Sequence, residues 1–277
     1  MRAAVVGHLE WVEFIRVSRL PGRGEIVHGE DWWEEPAGGG PVAAVQLHKL
    51  QAETMFFTAL GDDELGHRAY EELSFAGLDV HAVFRPEPTR RAVTHIDATG
   101  ERTITVLGNR LAPSGVDALP WPDLERADCV YFTAGDGGAL RAARQGAKLV
   151  AASRALPVLA ATGVQLDALV GSALDPGETF TPDDVSPVPR LCVWTESDRG
   201  GRFRVEGGGQ KRYEATILEA PVLDRYGAGD SFAAGLTYAL GMGDPIDEAL
   251  LLAARCGAAA LGGRGPYEGQ LQTRPQL

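Results

Sequence analysis

Gly227, Ala228, Gly229 and Asp230 follow one another inside the stretch APVLDRYGAGDSFAAGLTYALG, which runs from Ala220 to Gly241. Three residues with at most a methyl side chain precede a carboxylate, and an amphipathic helical pattern begins straight after it. Small residues let a phosphate approach the backbone. The first turn of a helix adds unpaired N–H groups and about half a positive charge from its dipole. The spacing therefore predicts an anion site. A carboxylate there would repel a bound phosphate, so its presence points to a general base. Such a base takes a proton from an attacking hydroxyl while the N–H groups hold the transferring phosphoryl group. A plainer reading stays open, in which Asp230 caps the helix and the glycines make a tight turn.

The elements that must position this group are legible from periodicity. Residues 2–7 (RAAVVG) form a short apolar run that predicts a buried strand feeding a loop at Gly7. From about Glu10 to Glu35 polar and aromatic residues mix around Pro21, Gly22 and Gly24, which predicts two strands lying apart from the main core. Gly38, Gly39, Gly40 and Pro41 open a helix, followed by a strand over Thr54 to Leu60. Asp62 or Asp63 is placed to cap a helix from about Glu64 to Ala76, with Gly77 as its stop. Residues 91–107 alternate about Thr99-Gly100, as a hairpin of the same small sheet would. Beyond residue 111, apolar strands (CVYFTA, KLVAA, LDALVG, LCVWT) alternate with helical stretches, and two helices finish the chain at about 228–241 and 246–261. That is the pattern of a mostly parallel central sheet flanked by helices on both faces. A small β-sheet lid, from about 10–36 and 86–110, is inserted into this single α/β domain of residues 1–277.

At this point the sequence resembles the PfkB/ribokinase family of carbohydrate kinases. Asp224-Arg225-Tyr226-Gly227-Ala228-Gly229-Asp230 is similar to its C-terminal signature, and Gly38-Gly39-Gly40 to its N-terminal double glycine. TALGDDELGHRAYEELSFAGLDV (58–80), GERTITVLGNRL (100–111) and RCGAAALGGRGPY (255–267) fall in the family's order. The resemblance implies a ribokinase-like fold and ATP-dependent phosphoryl transfer to a small hydroxylated metabolite. Asp230 would be the base, and the backbone of Gly227, Ala228 and Gly229 the anion hole. Thr195, Ser197 and Gly200 stand on the nucleotide loop, with Ser197 where the family has Gly, and Cys256 falls on the helix that lines the adenine pocket. Ser172 and Asp175 occupy the family's Asn-x-x-Glu, so Asp175 would organise Mg2+ through water. Asp224 would border a monovalent cation, K+.

The acceptor side departs from the family. Its usual sugar-binding Asp and Asn are replaced by Val12 and by Val42 or Ala43, which moves the substrate away from ribose toward something less polar or differently arranged. Candidate acceptor contacts are Glu10, Trp11, Gly38, Gly39, Gly40, Asn109, Arg110 and Asp230. Trp11, Trp32 and Trp33 also suit packing of the lid, and His8 suits either a ligand contact or a structural role. Adjacent Arg90 and Arg91 point to opposite faces of a strand, so at most one reaches the pocket to meet an acidic or phosphorylated acceptor. Asp136 reads as a helix cap.

Composition narrows the classes. With 26 Lys+Arg against 38 Asp+Glu the net charge is −12, which argues against a nucleic-acid partner or an anionic membrane surface. No apolar run reaches the roughly 18 residues of a membrane span, and three widely spaced cysteines give no zinc or disulfide pattern, so a cytoplasmic protein is expected. The expected acceptor is a sugar or sugar derivative, with a nucleoside as the alternative, and a homodimer through the lid is expected. A non-catalytic ligand-binding protein on the same scaffold gains nothing from Asp230. A dinucleotide oxidoreductase is disfavoured because the first strand ends in GHLEW rather than a GxGxxG loop.

Overall fold

A computed structural model describes residues 1–218 and 220–274. In chain order the strands are β1 (Arg2–Val6), β2 (Glu10–Arg16), β3 (Asp31–Ala37), β4 (Glu53–Gly61), β5 (Asp79–Arg85), β6 (Arg91–Ile96) and β7 (Arg102–Leu107). They continue with β8 (Cys129–Phe132), β9 (Leu149–Ala152), β10 (Ala168–Ser172), β11 (Leu191–Thr195), β12 (Gly201–Val205) and β13 (Gln210–Tyr213). The helices are α1 (Gly39–Lys49), α2 (Glu64–Phe75), α3 (Gly137–Ala143), α4 (Leu156–Thr162), α5 (Ala228–Met242) and α6 (Ile246–Ala260).

Nine strands form the main sheet in the order β13-β12-β11-β10-β9-β8-β1-β4-β5. It is parallel from β11 to β5, and the edge pairs β11–β12 and β12–β13 are antiparallel. Side chains of β1 alternate between two cores: Ala3 and Val5 pack with α1, α5 and α6, whereas Ala4 and Val6 pack with α3 and α4. Strand order reverses at β1, with β4 on one side and β8 on the other. The loops at the carboxyl ends of β1 and β8 therefore separate and leave a crevice, the usual ligand site of an open α/β sheet.

The second sheet, ordered β3-β2-β6-β7, falls in the segments expected for the lid, with Ala37 one residue beyond them. Its inner face is apolar: Val12, Phe14, Ala37, Ala92 and Ile96 pack with Val42 of α1 and with Tyr226. Phe14 stacks on Trp33 at 5.0 Å and meets Tyr226 edge-on. The lid is tied to the segment before α5, since Arg16 donates to the Leu223 carbonyl, Arg102 to the Arg225 carbonyl, and the Arg225 N–H to the Gly100 carbonyl. Asp63 caps α2 through the Gly66 N–H, and Asp136 caps α3 through the Ala139 N–H, as their positions predicted.

Candidate active site

Helix α5 begins on Gly227, held at φ 77°, and no side chain caps it. The cap reading of Asp230 is thereby corrected: Asp230 is the third residue of the helix, not its cap. Gly227 has two reasons to be glycine, because its φ is left-handed and a Cβ there would come within 2.9 Å of Val42 Cγ1. Gly229 has neither. It is exposed, and a Cβ on it would meet nothing within 4 Å. Open space thus lies beside the first turn of α5, whose leading N–H groups have no partner within the helix.

Helix α1 also starts uncapped, on Gly38 at φ 90°, whose N–H donates to the Tyr226 hydroxyl at 3.2 Å. A Cβ on Gly39 would lie 3.0 Å from Asp230 Oδ1, so the two helix N-termini meet across the Asp230 carboxylate. Gly40 is pressed on the His8 carbonyl and the Phe56 ring, at 2.6 and 2.7 Å from a built Cβ, which fixes α1 against the end of β1. Asp224 is fully buried and braces the same turn, with one oxygen accepting from the Tyr226 N–H and the other from the Gly265 N–H.

Burial, then the negative Glu178, lifts Asp230 to about 6, against the pull of Arg102 and Arg154. Glu178, which the motif spacing did not single out, acts on Asp230. Its Oε2 accepts from the Ser172 N–H at 2.9 Å and its Oε1 pairs with Arg154 Nε at 2.8 Å. Asp175 is occupied otherwise: it accepts from the Gly177 N–H and pairs with Arg154 Nη2. Ser172 Oγ accepts from the Leu174 N–H and so shapes the turn. Thr133, buried at the end of β8 beside Gly7 and Gly39, has a hydroxyl without a partner and was also missed. Its place at a strand's carboxyl end was the available signal.

On the acceptor side the predicted residues divide. Glu10 is buried, 3.4 Å from His8 Nε2 and 3.1 Å from Arg90 Nε. Burial pushes its carboxyl up, but the His8 hydrogen bond and the positive Arg90 and Arg110 outweigh this and hold it below its usual range. Burial likewise keeps the His8 imidazole below its ordinary value. Trp11 points to the opposite face. It is fully buried, donates to Glu34 and stacks under Arg68, so its assignment as an acceptor contact is corrected to packing. Arg91 pairs with Glu13 on that face, which leaves Arg90 as the arginine of the pair that reaches Glu10. Asn109 and Arg110 are exposed. Val12 and Val42 sit in the apolar core under the lid.

A cavity of about 1240 Å³ lies between α6 and the segment after β13, bounded by Arg212, Tyr213, Ile217, Arg255, Ala258 and Gly262 among others. Cys256 is not on its wall: it is fully buried against Gly235 of α5, whereas its helix neighbours Arg255, Ala258 and Ala259 line the cavity. The wall approaches the first turn of α5, because its Gln270 donates to Ser231 Oγ and Gly257, beside the lining residue Ala258, abuts the Ala228 carbonyl. Thr195 ends β11, and Gly200 (φ 73°) is pressed on the Tyr213 carbonyl and the Ala215 N–H beside the cavity. Ser197 adopts φ 58°, so the loop keeps a left-handed backbone where the family pattern has glycine. No group of three or more metal-ligating side chains occurs among the described residues. No helix among them is long and apolar enough to cross a membrane.

Comparison with known proteins agrees with this geometry. The profile of the pfkB family carbohydrate kinases matches residues 2–174 and 187–274. The chain is 27% identical to an ATP-dependent ribose-1-phosphate kinase of Halopiger xanaduensis, over 96% of this chain and 93% of that one. It is 28% identical to an acarbose 7(IV)-phosphotransferase of Actinoplanes sp., over 82% and 81%. Arabidopsis thaliana ribokinase complexed with ribose and ATP superposes with a TM-score of 0.74 at 20% identity, covering 97% of this chain and 95% of that one. The two helix N-termini that meet at Asp230, the lid and the open end of the sheet are thus those of a ribokinase-like fold, and the chain belongs to the pfkB family of carbohydrate kinases.

Proposed function

We propose that this protein transfers the terminal phosphoryl group of ATP to a hydroxyl of a sugar or sugar derivative, with Asp230 as general base. The observation that carries the reading is the half-buried Asp230 carboxylate between two uncapped helix N-termini, beside an exposed Gly229 with no contact that requires a glycine. Asp230 takes the hydroxyl proton as the acceptor oxygen bonds to phosphorus and the bond to the ADP oxygen breaks. The N–H groups of the turn at Gly227, Ala228 and Gly229 hold the charge on the transferred group. The nucleotide lies in the cavity along α6, which leads to this turn. Acceptor-dependent ADP release tests the reading; ATP binding without any ADP release would defeat it.

Magnesium fits the carboxylates present. The negative Glu178 raises the cost of ionising Asp230, and a divalent cation held through water and phosphate oxygens relieves it without an all-protein cage. Bound there, it would neutralise charge on the phosphates. Glu178, held by Arg154 and the Ser172 N–H, is the residue placed to orient its water, with Asp175 behind it. Asp224 is buried beside the anion turn and is the nearest carboxylate for K+, tested by replacing K+ with a bulky organic cation in the assay. On the lid, Ile104 and Val106 of β7 are each 41% exposed and extend the apolar face formed by Val12, Phe14 and Ala92, which supports pairing of two lids. A dimer mass in sedimentation is expected, and a monomer at assay concentration would remove that part.

Two further results are expected. Since the base must be deprotonated, kcat/KM should fall as pH drops through about 6, with a limiting slope of about one in the logarithm. A profile flat down to pH 4.5 would mean that Asp230 is not the titrating base. Gly229→Ala should melt at the same or a higher temperature, because Ala is favoured over Gly in a helix by about 1 kcal/mol. Its turnover should nonetheless fall about tenfold, since the methyl group stands where the phosphoryl group approaches. Unchanged turnover would place the anion site elsewhere.

A further inference from the structure

The crossover from β10 to β11 carries no α-helix. The two parallel crossovers before it, β8 to β9 and β9 to β10, carry α3 and α4, which cover one face of the sheet. Residues 173–190 instead form turns and a short 3-10 turn at Pro182–Asp184, with Phe180 and Val185 buried against that face. The pfkB profile matches up to residue 174 and again from 187, so this stretch is the chain's own. Beside it the face stays open over β12 as a cavity of about 410 Å³. Its floor is Trp194, which stacks on Phe180 at 5.0 Å and donates to the Phe180 carbonyl. Arg202 and Arg204, two residues apart on β12, share this face, and Arg202 pairs with Trp194 in register. Phe203 between them packs on the opposite face, in the core that includes α6. The nucleotide cavity along α6 and this one thus lie on opposite sides of the sheet.

Two arginines and no acidic residue line this cavity, in a chain whose net charge is −12. Arg204 has no carboxylate partner among the described residues, and only its Nε is engaged, on the Gly208 carbonyl. Arg202 meets Glu196 through Nε at 2.6 Å, which leaves its two terminal nitrogens free. Gln210 faces Arg204 in register, and the Thr181 hydroxyl accepts from the Asp184 N–H and so keeps its own proton to donate. Two strand steps set the arginine stems about 7 Å apart, a span that one small molecule with two anionic ends bridges. We propose that this cavity is a second ligand site, for a small metabolite with two oxyanion groups, carboxylate or phosphate ester, held in the forks of Arg202 and Arg204. Glu196 is shared by Arg202 and by Arg212, and Arg212 bounds the nucleotide cavity. A dianion that draws Arg202 off Glu196 loosens the loop from Thr195 to Gly200 and weakens nucleotide binding. This coupling rests on the phosphoryl-transfer reading above; the site itself does not.

The test is calorimetric titration of the full chain at physiological salt with phosphoenolpyruvate, citrate and singly charged lactate, with and without a saturating non-hydrolysable ATP analogue and magnesium. The first two probes separate a phosphate ester from carboxylates alone. At least one should bind once per chain, about tenfold or more tighter than lactate. Arg204→Ala should weaken it by about 10-fold to 100-fold, and Arg204→Lys should recover part of the loss. Gln210→Glu, an exposed change that keeps the side chain's size, should weaken it as well, so the result does not hang on one variant's folding. The Kd of the ATP analogue should rise severalfold to a plateau as the dianion saturates, and the dianion's Kd should rise by the same factor in return. No binding of either dianion below about 1 mM, or binding unchanged in both Arg204→Ala and Gln210→Glu, would overturn the site. A nucleotide Kd that climbs without a plateau would overturn it too, since the dianion would then compete at the anion turn. Binding that leaves the nucleotide Kd unmoved would overturn the coupling. If the analogue does not bind at all, the kinase reading fails, and the dianion titrations still decide the site.

Discussion

Asp230→Asn is expected to lower acceptor-dependent turnover by roughly 100-fold to 10,000-fold, with KM for the nucleotide little changed. The amide keeps the shape and the place between the two helix N-termini but accepts no proton, so the loss falls on the chemical step. It corresponds to roughly 3–5 kcal/mol of barrier. Stability should move the other way. The carboxyl is lifted from its ordinary 3.8 to about 6, so the folded protein holds its proton more tightly than the unfolded chain does. That advantage is present at acid pH and is lost as pH rises from about 4 through about 6. At pH 7 the ionised Asp230 therefore costs the fold on the order of 1–3 kcal/mol, and the Asn variant should melt at the same or a higher temperature. A variant that loses turnover only by melting below assay temperature would remove the support for a base.

Glu178→Gln should cost about 10-fold to 100-fold in turnover at limiting magnesium and raise the magnesium concentration needed for half-maximal rate. Asp175→Asn should stay within about threefold, because it removes a half-exposed ion pair with Arg154 and little else. The two variants separate the carboxylate chosen by motif spacing from the one chosen by geometry. Glu178→Gln carries a second signature. The negative Glu178 raises Asp230, so its neutralisation should let Asp230 ionise at lower pH and move the acid limb of the rate profile down. A larger loss in Asp175→Asn than in Glu178→Gln, with no shift of the acid limb in the latter, would return the role to Asp175.

How far the sequence carried can be argued from these same residues. Strands such as Val5-Val6 and Cys129–Phe132 are buried on both faces, so their continuous apolar runs were readable, and the lid hairpin declared itself by its alternation about Thr99-Gly100. The GAGD turn was legible because it is local: four consecutive residues set its backbone. Glu178 was not, because its place follows from a turn in which Asp175 takes the Gly177 N–H while Arg154 arrives from the turn after β9. Nothing in the spacing of residues 172–178 encodes that arginine. Trp11 and Cys256 were within reach of periodicity. Alternation on β2 sends Glu10 and Trp11 to opposite faces, and a helical repeat puts Arg255, Ala258, Ala259 and Gly262 on the side away from Cys256. The cavity wall after β13 was harder to see, since the short polar strands β12 and β13 join across Gly207, Gly208 and Gly209 and carry little apolar signal.

The central claim is that a carboxylate at the start of α5 activates an acceptor hydroxyl for phosphoryl transfer. Its most direct measurement is transfer of label from γ-labelled ATP, with magnesium, onto sugars and their phosphorylated or oxidised forms, run beside Asp230→Asn. The account predicts a labelled, phosphatase-sensitive product that depends on the acceptor and is nearly absent in the variant. Label appearing only in free phosphate, or transfer that persists unchanged in Asp230→Asn, would contradict it.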